Sequence, residues 1–260
     1  MNLKLTGKTA LVTGSTAGIG YSTAEALAAE GTRVIVNGRT QARVDAALTR
    51  LGVANAEGLA ADLATAAGAE ILFAKYPDLD ILVNNLGIFE PKRFEEIPDD
   101  EWRRFFEVNV LSGVRLSRYY LPRMKAAGWG RIVFLSSASA VQIPTEMIHY
   151  GMSKAALLAV SRGLAETTAG TGVTVNCVLP GPTASEGVVA YMDGMAAAKG
   201  TSRSALEAEF FKTVRPSSLL QRLATTEEVA AMVTYVCSPV SAATNGAALR
   251  AEGGVVRSIV

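Results

Sequence analysis

Tyr150 and Lys154 are the residues of this sequence whose types and spacing best suit acid–base chemistry. They stand at positions i and i+4 of a predicted helix and therefore share one face. An ammonium group near a phenol favours the phenolate, so we expect Lys154 to lower the pKa of Tyr150 from its reference of about 10. Ser137, at the end of a predicted strand, can donate to a substrate oxygen beside Tyr150. This arrangement predicts proton donation to an alkoxide that develops from a carbonyl.

Two further polar residues, Asn109 and His149, could lie near the Tyr150–Lys154 pair. Asn109 is an amide on an otherwise apolar helix face, and a buried amide needs hydrogen-bond partners. Asn109 could belong to the catalytic site, or it could be a structural amide whose hydrogen bonds are satisfied within the protein. His149, the one histidine, adjoins Tyr150 in the chain. We expect His149 at the surface or on the wall of a pocket, because the Tyr–Lys pair already supplies the proton.

A glycine-rich turn follows the first predicted strand and opens a helix. Its spacing is Gly-x3-Gly-x-Gly, within Thr13–Gly20. Glycines permit a tight turn and let backbone N–H groups approach a diphosphate at the positive end of a helix. A strand-to-helix turn without a ligand is the alternative. The predicted cofactor-binding residues of this turn are Gly14, Ser15, Thr16, Gly18, Ile19 and Gly20.

The end of the second strand bears on the choice between NAD and NADP. The segment Asn37-Gly38-Arg39 lacks the carboxylate that would grip the ribose hydroxyls of NAD. Gly38 leaves space, and the planar guanidinium of Arg39 suits a 2′-phosphate. This pattern favours NADP. The alternative for Arg39 is a solvated residue at the start of a helix.

The ends of the third and fourth strands complete the predicted cofactor site. Asp62, with Leu63 beside it, can accept a hydrogen bond from the adenine amino group, cap a helix, or do both. Asn85 and Gly87 follow the fourth strand. The amides there can tie neighbouring strand ends together and line the floor of the cofactor site.

Short apolar runs alternate with helical patterns along the chain, as is typical of strands buried on both faces. Strict alternation predicts an α/β fold: a single Rossmann-type, doubly wound parallel sheet with helices on both faces, in three layers, over residues 1–260. Ligands of such sheets bind beyond the carboxyl ends of the strands. The predicted strands are Thr9–Val12, Arg33–Asn37, Glu57–Ala60, Ile81–Asn84, Arg131–Leu135, Thr174–Val178 and Ala248–Arg250.

Helical patterns and one long insertion separate these strands. The insertion, at about 183–218, balances its charges and is rich in aliphatic and aromatic residues. We expect a mobile lid over the substrate, which the composition suggests is a neutral, partly apolar carbonyl compound. Packing of these residues against the core is the alternative. The predicted helices are Gly20–Glu30, Thr40 to about Leu51, Asp99 to about Tyr120, Tyr150–Thr168, and Val229–Val236 behind a capping box at Thr225.

The sequence resembles the short-chain dehydrogenase/reductase family over essentially its whole length. The motifs that carry the resemblance occur in the family's order: Thr13–Gly20, Asn84–Gly87, Asn109, Ser137, Tyr150 with Lys154, and Pro180-Gly181. The resemblance implies that Tyr150 is the acid/base, that Ser137 polarises the substrate oxygen, and that Lys154 binds the nicotinamide ribose while tuning Tyr150. It implies that Asn109 holds a water in a proton relay through Lys154. It also implies that Pro180, Gly181 and Thr183 meet the nicotinamide end.

Three departures from the family pattern are visible. Leu86 stands where the family usually has alanine, which adds bulk beside the cofactor. Many NADP-preferring members carry a basic residue inside the glycine-rich turn, whereas residues 15–17 here are neutral, so NAD stays possible. Glu252 replaces the more usual aspartate near the C-terminus, a change that concerns the end of a strand.

Composition and charge exclude several other classes of protein. The 260 residues carry a net charge of +1 with scattered basic residues, which argues against a nucleic-acid partner. The apolar stretches are too short to cross a membrane, and the first residues do not resemble a signal peptide, so we expect a cytoplasmic protein. Two cysteines and one histidine provide neither a disulfide framework nor a metal site.

These observations predict an oxidoreductase acting on CH–OH donors, which transfers a hydride between NADP(H), or NAD(H), and a small carbonyl or alcohol. A non-catalytic dinucleotide sensor and an epimerase or dehydratase with related motifs are the alternatives. The helices that begin at Asp100 and Tyr150 carry more apolar residues than one sheet face should cover, and the family resemblance points the same way. We therefore expect a homo-oligomer, as a tetramer or a dimer.

Overall fold

Seven strands form one parallel sheet in the part of the chain that this computed structural model describes, residues 2–259. The strands are β1 (Thr9–Val12), β2 (Arg33–Gly38), β3 (Ala56–Ala60), β4 (Ile81–Asn84), β5 (Gly130–Leu135), β6 (Val173–Pro180) and β7 (Ala248–Ala251). Their order in the sheet is β3-β2-β1-β4-β5-β6-β7. The predicted α/β fold is confirmed, and each predicted strand lies within two residues of an observed one.

Helices cover both faces of the sheet. They are α1 (Gly18–Ala29), α2 (Gln41–Leu51), α3 (Ala66–Lys75), α4 (Asp99–Phe106), α5 (Ser112–Ala126), α6 (Ile148–Glu166), α7 (Glu186–Lys199), α8 (Arg203–Thr213) and α9 (Thr226–Val236). Side chains alternate along a strand, so Leu11 and Leu82 belong to the core that contains α3, α5 and α6. Val12 and Val83 belong to the opposite core, which contains α1, α2 and α9.

The predicted single helix from Asp99 to about Tyr120 is wrong in its continuity and its length. A π-helical turn, Glu107–Leu111, separates α4 from α5, and α5 continues to Ala126 with Pro122 inside it. Helix α3 was not predicted. It begins behind Thr65, whose hydroxyl accepts a hydrogen bond from the Gly68 N–H and caps the helix. Helix α6 ends at Glu166, short of the predicted Thr168.

The predicted lid consists mainly of two helices, α7 and α8. They share a small hydrophobic cluster of their own, built on Met192, Ala196, Leu206, Phe211 and Leu223. The side chains of Ser185 and Ser202 cap the two helices. The lid therefore packs as a unit, whereas its mobility stays a prediction.

Three smaller points complete the architecture. Cys177 and Cys237 are free and buried. No helix within residues 2–259 combines the length and the apolar character needed to span a bilayer. A single domain over residues 1–260 stays a prediction, and its end residues, Met1 and Val260, lie outside the described part of the chain.

Candidate active site

The predicted site residues gather at the carboxyl edge of the sheet, near the point where the strand order reverses. The chain moves outward from β1 to β3 and then returns to the other side of β1 as β4. Such a reversal leaves a crevice above the two central strands. The glycine-rich turn follows β1, and Asn85 and Gly87 follow β4, so both segments border this crevice.

Close packing explains the glycines of this turn. Gly14 and Gly18 have φ angles of 61° and 58°, in the region that favours glycine. A Cβ on Gly20 would lie 2.4 Å from the Asn85 side-chain nitrogen and 2.7 Å from the Gly14 carbonyl oxygen. Larger residues therefore cannot stand at Gly20 unless the turn moves away from β4.

Asn85 ties the turn to the end of β4, as predicted. Its Nδ2 donates to the Thr13 carbonyl oxygen at 2.8 Å and to the Gly14 carbonyl oxygen at 3.2 Å. In return, the Thr13 hydroxyl oxygen accepts from the backbone N–H groups of Asn85 and Leu86, both at 2.9 Å. These bonds fix two strand ends relative to each other without using a ligand.

The Ser15 hydroxyl is held by backbone groups at the ends of β1 and β2. It donates to the Val12 carbonyl oxygen at 2.6 Å and accepts from the Asn37 backbone N–H at 2.9 Å. Ser15 is fully buried, so only its backbone stays available to a ligand.

Asn37 is a buried residue of the cofactor half whose role was missed. Its Oδ1 accepts from the Gly14 N–H at 3.1 Å, and its Nδ2 donates to the carbonyl oxygens of Leu59 and Ala61 at 3.1 and 3.0 Å. The side chain joins the turn after β1 to the edge of β3. The one signal in the sequence was an amide in an otherwise apolar strand.

Arg39 is exposed at the end of β2 and makes no hydrogen bond or ion pair with another described residue. A Cβ on its neighbour Gly38 would lie 2.5 Å from the Thr16 side chain, so the glycine-rich turn packs closely against the end of β2.

The Asp62 carboxylate, after β3, accepts a hydrogen bond from the Ala64 N–H at 3.1 Å. The Leu63 side chain is fully buried in the core, which leaves only its backbone to meet a ligand.

One cavity of about 660 Å³ extends from Ile19 of the glycine-rich turn to Tyr150. The predicted residues that line it are Ile19, Asn85, Gly87, Ser137, Tyr150, Lys154, Pro180, Gly181 and Thr183. The lid contributes Val188, Met192 and Phe210. Asn109 and Arg39 do not line the cavity, and neither do the remaining predicted residues of the cofactor half. This enclosure fits an elongated ligand that runs from the glycine-rich turn to Tyr150.

Lys154 is nearly fully buried beside the catalytic candidates. Its Nζ donates to the Leu135 carbonyl oxygen at 2.8 Å, and its own carbonyl oxygen accepts from the Ser136 hydroxyl at 2.8 Å. Burial lowers the pKa of Lys154 to about 8. The ammonium lies 5.7 Å from the centre of the Tyr150 ring.

The net shift of the Tyr150 pKa is upward, opposite to the direction expected from Lys154. Burial raises the pKa of Tyr150, and a hydrogen bond with the Ser137 side chain opposes this effect only in part. The phenol is therefore held in its neutral form at neutral pH. A neutral phenol has a proton to give, which suits the reduction of a carbonyl.

Asn109 lies in the π turn and is held on several sides. Its Oδ1 accepts from the Ile88 N–H at 2.8 Å, while its Nδ2 donates to the Ile88 carbonyl oxygen at 3.0 Å and to the Ser153 hydroxyl at 2.9 Å. Both amide hydrogens are thus used within the protein. A Cβ on Gly87 would lie 3.1 Å from the Lys154 Nζ and 3.5 Å from the Asn109 Oδ1, so both groups approach this glycine.

His149 lies neither at the surface nor on the cavity wall, so the sequence-based expectation is wrong. It is fully buried, with its ring 4.0 Å from that of Phe105 and 6.0 Å from that of Trp102. Burial lowers the pKa of His149, which favours the neutral ring. A histidine next to Tyr150 on a helix points about 100° away from it, which explains the different surroundings.

Ser185 and Glu186, at the start of α7, are further residues that sequence reasoning missed. Ser185 lines the cavity, and a Cβ on Gly18 would lie 3.3 Å from its Cβ. The Glu186 carboxylate accepts from the Gly18 N–H at 2.6 Å. The lid is thus in contact with the glycine-rich turn, although 168 residues separate the two bonded residues in the chain.

Comparisons with known proteins agree with this geometry. A family model described as short chain dehydrogenase matches residues 8–195. The chain is 50% identical to the uncharacterized oxidoreductase YvaG of Bacillus subtilis, with all of both proteins covered. It is 33% identical to the D-beta-hydroxybutyrate dehydrogenase of Cupriavidus necator, over 97% of this chain and 99% of that protein. The crystal structure of L-sorbose reductase from Gluconobacter frateurii, complexed with NADPH and L-sorbose, aligns with a TM-score of 0.93 at 29% identity over 100% of both chains.

Proposed function

Because this chain belongs to the short-chain dehydrogenase/reductase family, we propose that it interconverts a carbonyl and an alcohol. In this proposal Tyr150 is the acid/base and NADP is the preferred cofactor. Membership of the family and similarity to its oxidoreductases support an NAD(P)-dependent oxidoreductase. One observation carries the proposed acid/base role of Tyr150. Ser137, Tyr150 and Lys154 line the same cavity as three residues predicted to bind the cofactor, which are Ile19, Asn85 and Gly87.

The chain's own residues account for the movement of the proton. In reduction, the neutral Tyr150 phenol donates its proton to the substrate oxygen, and the Ser137 hydroxyl hydrogen-bonds to the same oxygen. Lys154, anchored on the Leu135 carbonyl, presents a positive charge that stabilises the phenolate left behind. The nicotinamide cofactor, when bound, supplies the hydride to the carbonyl carbon in reduction and accepts it in oxidation.

The residues of the cofactor half fit a dinucleotide. Ile19 of the glycine-rich turn lines the cavity, and the positive end of α1 favours a phosphate. The exposed and unpaired Arg39 supports NADP over NAD, as does the NADPH bound to the L-sorbose reductase. Pro180, Gly181 and Thr183 line the same cavity as Tyr150, and the family resemblance assigns them to the nicotinamide end.

A panel of carbonyl substrates tests the proposal. The protein is incubated with NADPH and ketones that include L-sorbose, and with NADP⁺ and D-β-hydroxybutyrate for the reverse reaction. We expect oxidation of NADPH with at least one ketone, and none after Tyr150→Phe. Tight NADPH binding without turnover on a broad panel would favour a dinucleotide sensor instead. Conversion without net change in NADPH would favour an epimerase or dehydratase.

Assembly into a homo-oligomer, as a tetramer or dimer, is part of the proposal. Val114, Tyr119, Leu158 and Leu164 are only half-buried on α5 and α6, which supports an interface on these helices. Val110 and Tyr120, by contrast, are buried in the core of the single chain. Sedimentation over a dilution series checks this, and a monomer with full activity would contradict it. A cytoplasmic location also stays a prediction.

A further inference from the structure

The first residue of the lid helix α7, Glu186, bridges two elements of the cofactor half. One carboxylate oxygen accepts from the Gly18 N–H at 2.6 Å, and the other accepts from Arg50 Nη1 at 3.1 Å. Gly18 begins α1, and Arg50 lies in the last turn of α2. A single side chain thus connects the lid with two helices that stand beside the glycine-rich turn.

Both partners are well suited to hold a carboxylate. The Gly18 N–H is one of the N–H groups that a helix start leaves without an internal partner, and the helix dipole favours a negative charge there. The Arg50 guanidinium lies 3.7 Å above the ring of the buried Tyr21, which fixes its position before it meets Glu186.

The ionisation of Glu186 matches these contacts. Burial alone would raise its pKa, but hydrogen bonds from its own backbone N–H, from Arg50 and from the Gly18 N–H outweigh burial. The pKa of Glu186 is therefore lower than usual, and the side chain is ionised at neutral pH.

We propose that Glu186 is a positioning residue that fastens the lid to the glycine-rich turn and thereby sets the rate at which the cofactor leaves. The inference rests on the proposed function, because it needs a cofactor in the cavity. Ile19 of the turn and Ser185 of the lid line the same cavity, so the contacts of Glu186 hold two of its walls together. The contacts must break before the lid can lift from the turn.

A competing explanation makes the opposite prediction. If the Glu186 carboxylate occupied the place of a cofactor phosphate at Gly18, the cofactor would have to displace it. Removal of the carboxylate would then tighten cofactor binding. Fastening predicts the reverse, a faster release, so the sign of the effect separates the two explanations.

The first test measures NADPH release by stopped-flow displacement. We expect Glu186→Ala to raise the dissociation rate about three- to tenfold, which corresponds to the loss of a charge-assisted contact at a helix start. Arg50→Met should raise it less, about two- to threefold, because a half-exposed ion pair contributes little. Glu186→Gln should resemble Arg50→Met, since its amide oxygen can still accept from the Gly18 N–H. Adding Arg50→Met to Glu186→Gln should then change the rate little further.

A matched control removes an ion pair of the lid that does not reach the turn. Arg203 pairs with Asp193 at 3.4 Å between α8 and α7. We expect Arg203→Met to leave the release rate within about twofold of the wild type, as is usual for exposed pairs. An unchanged or slower release in Glu186→Ala, or an equal effect in Arg203→Met, would overturn the proposal.

A second readout needs no cofactor. Hydrogen exchange of residues 186–199 in the ligand-free protein should be faster in Glu186→Ala than in the wild type, and unchanged at α1 beyond its first turn. If the wild type fails to bind NADPH, the proposed function fails, whereas faster exchange in Glu186→Ala still supports the fastening contact. If NADPH binds normally and neither release nor exchange responds to Glu186→Ala, only the fastening role is refuted.

Discussion

The Asn37 side chain accepts a hydrogen bond from the Gly14 N–H, at 3.1 Å, across the gap between β2 and the turn after β1. Asn37 stands near the end of β2, where NAD-binding sheets often carry a carboxylate for the ribose. Here the side chain is turned inward, with its Nδ2 directed at the carbonyl oxygens of Leu59 and Ala61. It joins the turn after β1 to the edge of β3 and does not line the cavity.

Asn37→Asp should therefore fail to create an NAD enzyme. A carboxylate oxygen would face two carbonyl oxygens, so we expect a loss of about 1–3 kcal/mol in the free energy of unfolding and weaker binding of both cofactors. Thermal unfolding and kcat/KM for NAD and NADP measure this. Asn55→Asp is the control, because Asn55 Nδ2 also donates to two carbonyl oxygens, those of Ala28 and Thr32. It should lose stability with the cofactor preference unchanged. A severalfold gain in kcat/KM for NAD in Asn37→Asp would contradict this explanation.

Arg39→Ala should reduce the preference for NADP over NAD. A charge-assisted hydrogen bond contributes roughly 1.5–3 kcal/mol, or about ten- to a hundredfold in the ratio of the two kcat/KM values. Arg43→Ala provides a control, because Arg43 is an exposed arginine close to Arg39 in the chain, in the first turn of α2. If both variants change the ratio equally, Arg39 does not recognise the 2′-phosphate but only adds to the general positive charge.

Tyr150→Phe should lower kcat by about 10²–10⁴-fold while the NADPH dissociation constant stays nearly constant. The change removes only the hydroxyl, so the fold and the cofactor half should persist. Single-turnover mixing locates the loss in the chemical step. Tyr235→Phe, at a partly exposed position on α9, should keep wild-type kcat. A Tyr150→Phe enzyme with near wild-type kcat would remove this residue from the mechanism.

Lys154→Met should stabilise the fold while it abolishes turnover. Burial shifts the Lys154 pKa from 10.5 to about 8, a destabilisation of about 3 kcal/mol at about 1.36 kcal/mol per pKa unit. The Leu135 carbonyl oxygen would lose its donor at a cost of about 1–2 kcal/mol. We expect a net gain of about 1–2 kcal/mol in the free energy of unfolding at pH 7, as is common where function and stability compete.

The sign of the pH effect follows from linkage. Below pH 8 the lysine is protonated in both states, so the destabilisation is fully present. Between about 8 and about 10.4 the unfolded chain binds the additional proton, so the stability of the wild type rises with pH. The advantage of Lys154→Met should therefore shrink as the pH approaches 10. Denaturant unfolding at several pH values, with Lys212→Met as an exposed control, checks this trend.

Much of the fold was visible in the sequence because parallel strands buried on both faces are nearly continuous apolar runs. Every residue of β4, β5 and β6 is buried. The spacing of Tyr150 and Lys154 likewise places both on one helix face, and the two line the same cavity. The Asn85 contacts followed from its place after a strand in the middle of the sheet.

Other features depend on contacts that no local pattern encodes. The surroundings of Tyr150 decide the direction of its pKa shift, and burial there outweighs the effect expected from Lys154. His149 stands next to Tyr150 in the chain but packs on the aromatic rings of α4. In the sequence, Glu186 looks like an ordinary acidic residue in the first turn of a helix. Only the folded chain brings it to Gly18 and Arg50.

The π turn at Glu107–Leu111 also limits how this segment can change length in evolution. A π turn contains one residue more than the α-helical turn that it replaces. Deletion of one residue there would restore an unbroken α-helical ladder, and it would rotate one side of the segment against the other by about 100°. Either Asn109 would then lose its bonds with Ile88, or α5 would lose its packing on the sheet. Insertions and deletions between Asp99 and Ala126 are therefore constrained by the position of one amide, even though a plain helix of either length would fold.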